Sequence, residues 1–201
     1  MSATYQPTGF QSNGVRGNAP YEAGITRYNL TTNNTYIMGK GDAVSIAAGS
    51  IVSLTAAPAA GTLSANTPIG VVIGFEYQSL SRGFVCSDIL QASAVSAGTF
   101  TNIQVLVNDE ANSRFVLQYN GSITAAMVGT TCSFAGFNAA DANFKVSRMY
   151  GTGQAGSGTT TNPLRILGIA PTINNAAGDA YTQILVSWNS GTHYFSQAGS
   201  N

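Results

Sequence analysis

The chain predicts an all-β fold, and three observations carry that expectation. Short runs of β-branched and aromatic residues recur at roughly ten-residue spacing. Gly, Asn and Asp turns separate them, and no stretch sustains a 3.6-residue apolar period. The expected architecture is a single β-barrel or sandwich-like domain with an extended N-terminal arm.

Residues 1–24 form the expected arm. They hold Gly9, Gly14, Gly17 and Gly24 with Pro7 and Pro20, and they show no apolar period. Tyr5, Phe10 and Tyr21 are spaced along this otherwise polar segment, the pattern of a stretch that orders against another surface. Removing residues 1–24 is therefore expected to leave the remaining domain, 25–201, folded.

From Ile25 onward the texture is β. Tyr36-Ile37-Met38 leads into the Gly39 to Asp42 turn, followed by Ala43 to Ile46 and Ile51 to Leu54. Pro68 to Tyr77, Gly83 to Cys86, Ile103 to Val107 and Arg114 to Tyr119 continue the series, the last ending at Asn120-Gly121. That dipeptide is a turn signal because both residues accept positive φ at little cost. Cys132 to Phe137, Phe144 to Met149, Leu164 to Ile169 and Ile184 to Trp188 complete the predicted strands, and Ile123 to Val128 is the one expected helical turn. Gly151 to Asn162 is low in complexity and reads as a flexible exposed loop.

Charge narrows the function. Eight basic and eight acidic residues make up 8% of the chain, and the net charge is zero. Soluble domains usually carry about 25% charged residues, and near-zero net charge favours association. Such a chain is expected to work against copies of itself or a larger assembly. Its six Arg and two Lys are scattered singly, so nucleic acid is not an expected partner. No apolar run approaches the roughly 18 residues of a membrane span. The first residues show neither a basic nor an apolar signal region, so cytoplasmic synthesis is expected. Cys86 and Cys132, each inside an apolar stretch, are expected to be buried free thiols.

Catalytic chemistry finds no footing. Gly151, Gly153 and Gly156 spell G-x-G-x-x-G, but the Gly, Thr, Asn and Pro163 that follow cannot start the helix a dinucleotide loop requires. His193 is the sole histidine, which leaves a zinc site or a serine triad short of members; it reads as a packed or rim residue. Asp42, Asp109 and Asp179 stand beside or near Gly or Asn and read as turn residues. No enzyme activity, cofactor or metal is expected.

The order of several segments is more specific than any one of them. Lys40-Gly41-Asp42-Ala43-Val44 is followed by Ile69 to Tyr77 and by Val105 to Glu110 running into Arg114 to Gln118. Then come Pro163-Leu164-Arg165-Ile166-Leu167-Gly168-Ile169 and Gly178-Asp179-Ala180-Tyr181-Thr182 through Ile184-Leu185-Val186. Over roughly residues 35–195 this series resembles the capsid decoration, or cement, proteins of tailed bacteriophages, those of short-tailed phages above all. It departs from them in the Asn/Thr-rich segment Leu30 to Thr35 and in its few acids. The resemblance implies a structural virion protein on the outer capsid surface, bridging neighbouring major capsid proteins around packaged DNA. It implies a homo-oligomer, a trimer before a dimer, and it assigns capsid contact to Tyr5, Phe10, Arg16 and Tyr21 on the arm. The alternative is a glycan- or receptor-binding β-module on the virion, using Trp188, Tyr181 and Tyr194.

Overall fold

A computed structural model describes residues 6–15, 24–30, 36–56, 66–138, 140–155, 162–189 and 191–196. Its architecture is all-β and sandwich-like. The first sheet has six strands, in the order β1 (Gln11–Val15), β10 (Ser113–Gln118), β14 (Gln183–Trp188), β13 (Leu164–Ile169), β11 (Thr131–Ala135) and β12 (Tyr150–Ala155). All its named neighbours pair antiparallel. Alternation decides which side faces inward. Phe115 and Leu117 of β10, with Ile184, Val186 and Trp188 of β14, are buried. They share one core cluster with Cys132, Phe134, Leu164 and Ile166.

The second sheet runs β2 (Ile25–Asn29), β9 (Phe100–Asn108), β6 (Pro68–Ser79), β4 (Ala43–Ala47) and β5 (Ser50–Ser53), with β7 (Gly83–Ser87) added to the far half of β6. Its inward residues, among them Val44, Ile51, Val72, Phe75, Val105 and Val107, enclose a second cluster. The sheet curls until its two edges touch through one parallel bridge, Leu30 to Ile51. The ladder goes no further, so among the described residues a sandwich forms and no barrel closes. A two-stranded ribbon of β3 (Met38–Gly39) and β8 (Ile89–Leu90) contributes Met38 and Leu90 to this cluster. The short helix α1 (Ala92–Ser96) adds Val95.

Ala43 and Val71 of the second sheet belong to the first core cluster, so the layers meet there. The chain changes sheets between β9 and β10, at a corner tied by Asn108. Its Oδ1 accepts from the Ser113 hydroxyl at 2.8 Å and from the Glu110 N–H at 3.3 Å.

Four expectations need correction. Residues 10–15 do not stand apart from the core: Gln11–Val15 is an edge strand on β10, and Phe10 is only 3% exposed. Phe10 meets Phe115 and Phe134 edge-on, at 5.6 and 5.3 Å between ring centroids, and stacks on Trp188 at 5.7 Å. Gly9 makes this approach possible, since at φ +71° a Cβ there would lie 2.3 Å from the Ser147 Cβ. Phe144 to Met149 is not a strand but a tight turn followed by extended chain. Gly151–Ala155 belongs to β12 rather than a loop, and Gly151 faces Tyr119 so closely that a Cβ would sit 3.0 Å from that ring. Finally, Cys86 is exposed while Cys132 is buried. The expected helical turn exists as a 3-10 turn at Ala125–Met127.

The thiols should therefore behave differently. Burial pushes Cys132 up to about 12, and only a thiolate reacts readily. An aromatic disulfide reagent should modify Cys86 in the native protein and reach Cys132 only in denaturant. Two fast thiols in native buffer would contradict this packing.

Candidate docking face

Of the four residues assigned to capsid contact, Tyr5, Arg16 and Tyr21 lie outside the described residues. Phe10 cannot serve, because its ring is a core side chain. Trp188, a candidate for glycan stacking, is 6% exposed and fills the same core. Tyr181 and Tyr194 are half-buried, and Tyr194 packs against the second cluster.

A different set of side chains converges where residues 8–12 cross the junction of the sheets. Thr8, Gln11 and Ser12 line a cleft of about 740 Å³ together with Lys40, Asp88, Ile73 and the segment 144–146, and the backbone of Phe10 and Val72 forms part of its floor. Lys40 and Lys145 are the only two lysines of the chain. Neither forms an ion pair among the described residues, where the two ion pairs are Arg27–Glu76 and Arg148–Asp141.

The turn that carries Phe144 is fixed by Asp141. Its Oδ1 accepts from the N–H groups of Asn143 and Phe144 at 2.9 and 3.1 Å. The Lys145 N–H donates to the Asp141 carbonyl, and the Asp141 N–H to that of Val146, each at 2.8 Å. Arg148 donates to the other carboxylate oxygen and lies 5.9 Å from the Phe144 ring. Its hydrogen bond holds the Asp141 carboxyl below the usual carboxylate range. The result is a large aromatic side chain, 73% exposed, on a turn with little freedom. Order in the unbound state lowers the entropy cost of binding.

Other exposed apolar side chains also stand on constrained turns. Leu80 and Phe84, 76% and 67% exposed, flank the tip of the β6–β7 hairpin. Ile173 is 93% exposed in the turn after β13. There the Asn175 amide donates to the carbonyls of Ala170 and Gln183 and accepts from the Gln183 N–H, each at 2.8 Å.

Two titratable groups are buried beneath the surface. Asp42 is 4% exposed and accepts from the Gly39 N–H at 2.7 Å, the turn role read from sequence. Burial raises it to about 6 against the opposing effects of Ser147 and Gly39. His193 is fully buried beside Trp188, at 5.6 Å between ring centroids, and burial lowers it to about 4. Its Nδ1 accepts from the Phe195 N–H, so it is a packed histidine. Among the described residues no group of three His, Cys, Asp or Glu side chains could hold a metal.

No protein-family profile, no curated protein and no solved structure matches the chain. The class that its fold and surface define is an all-β, sandwich-like protein with exposed apolar side chains on its turns.

Proposed function

We propose that this chain is a structural virion protein that binds the outer surface of a tailed-phage head. It bridges neighbouring major capsid proteins and stabilises the DNA-filled shell as a homo-oligomer, with the trimer favoured. The segment order from Lys40 to Val186 supports the family. The observation that carries the mode of action is Phe144, held outward on an ordered turn beside two lysines that form no ion pair among the described residues. Binding energy at protein interfaces concentrates in such anchors, and repetition around a shell multiplies weak contacts into avidity.

The test is co-sedimentation with heads lacking this protein, prepared from the virus that carries its gene. Phe144→Ala should weaken binding at least tenfold. The double variant Lys40→Ala, Lys145→Ala should cost less and flatten the dependence on salt, because exposed charge contacts are worth about 0–1 kcal/mol each and are screened. Wild-type decoration should persist in molar sodium chloride and fall away in moderate urea, which weakens apolar burial. Full binding by Phe144→Ala would overturn this docking mode, and failure of the wild type to sediment with heads would overturn the function.

A further inference from the structure

Across the 8–11 segment from the lysine cleft lies a second cleft, of about 380 Å³, and we infer that it binds a neutral saccharide. Six of the ten described residues that line it carry side-chain amides, two are threonines, and none is ionisable. Four of the chain's nine glutamines meet there, from positions 6, 11, 118 and 183. A charged ligand would lose its hydration in this cleft without gaining a counter-charge. A side-chain amide holds a donor and an acceptor in one plane, which matches neighbouring sugar hydroxyls that each donate and accept. The volume lies within the roughly 300–1,000 Å³ range of small-ligand sites.

Three of the amides are pre-set by hydrogen bonds to a backbone N–H and to the two threonine hydroxyls. Gln118, 7% exposed, accepts from the Gln6 N–H at 2.9 Å. Gln11 Nε2 donates to Thr8 Oγ1 at 2.6 Å, and Thr172 Oγ1 donates to Gln183 Oε1 at 3.0 Å. These bonds orient Gln11 and Gln183 while leaving Gln11 Oε1, Gln183 Nε2 and the whole Asn174 amide open to a ligand. Asn174 is held at φ +61°. Ile173 supplies an exposed apolar surface for the C–H face of a sugar ring. An extended peptide would fit less well, since Val116 and Ile173 are the only apolar side chains among the described residues that line the cleft.

This inference does not rest on head binding, and its test keeps the two apart. The full-length protein is applied to an array of neutral hexose and N-acetylhexosamine oligosaccharides beside sialylated and sulfated ones, and responders are titrated by calorimetry. Neutral members should bind, with affinity unchanged in molar sodium chloride. Asn174→Gly keeps the left-handed backbone and removes the amide; combined with Gln183→Met it should weaken binding at least tenfold, while Phe144→Ala should leave it intact. Asn174→Gly alone serves if the double variant melts early. Silence of all neutral glycans at millimolar concentration, a response to anionic glycans only, or undiminished binding by a folded Asn174→Gly variant would each overturn the proposal.

Discussion

Replacing Phe10 with alanine should destabilise the protein by about 3–5 kcal/mol, the usual cost of deleting a buried aromatic ring. The ring touches Phe115, Phe134 and Trp188 at once, so the vacated space is bounded by large side chains of three strands that cannot all collapse into it. Such a loss is a large share of the roughly 5–15 kcal/mol that holds a typical domain together. For a chain of this size it lowers the melting temperature by on the order of 10 °C. Thermal and urea unfolding of the variant would measure it, and a loss below about 1 kcal/mol would show that the ring is not packed in this cluster. Removing residues 1–15 should be worse, because β10 would lose its edge neighbour as well.

The second large effect is hidden in the wild type and appears on acidification of Asp42→Asn. In the unfolded chain His193 titrates near 6.5 and Asp42 near 3.8; folding moves them to about 4 and about 6. Between pH 4 and 6 the unfolded chain carries a proton on His193 and the folded protein carries one on Asp42. The proton counts match, so the pair gives stability almost no slope over that range. Taken alone, the depressed His193 contributes stability that is complete above 6.5 and is lost as pH falls toward 4. The raised Asp42 does the reverse, contributing below 3.8 and losing that contribution as pH rises through 6. Asp42→Asn leaves the His193 dependence uncompensated. The variant should lose up to about 3 kcal/mol between pH 6.5 and 4, where the wild type stays nearly level. Parallel pH profiles from the two proteins would disprove the coupling.

Much of the fold was legible because burial alternates along most strands. Phe115 and Leu117 of β10, and Ile184, Val186 and Trp188 of β14, point inward at every second residue, as the short apolar runs imply. Runs too short to show a period escaped notice. α1 spans five residues without a capping side chain, and β1 reads Gln-Ser-Asn-Gly-Val, a strand defined by its neighbour rather than by its composition. Phe10 is ambiguous in sequence for the same reason: one aromatic among Gly and polar residues looks the same whether it waits for a partner or fills a core. Cys86 was misplaced because β7 is one-sided, with Phe84 and Cys86 facing out while Val85 packs inward. The amide cleft could not be seen in advance, since it draws on positions 6, 11, 118 and 174–183. Asp141 carries a signal that the strand expected over Phe144 to Met149 overrides: a turn-forming acid three residues ahead of an aromatic.

The pairing of β1 with β10, and of β10 with β14, also sets a timetable for synthesis. Phe10 leaves the ribosome well ahead of Phe134 and Trp188, two of the rings that shelter it. At roughly 5–20 residues per second, on the order of 10–35 s separate Phe10 from Trp188. Until β10 is made, the segment that follows Phe10 has no strand to pair with, and until Trp188 follows, the Phe10 ring lacks part of its shelter. β1 is thus made long before its sheet is complete, and a holding chaperone has a clear target in the segment around Phe10.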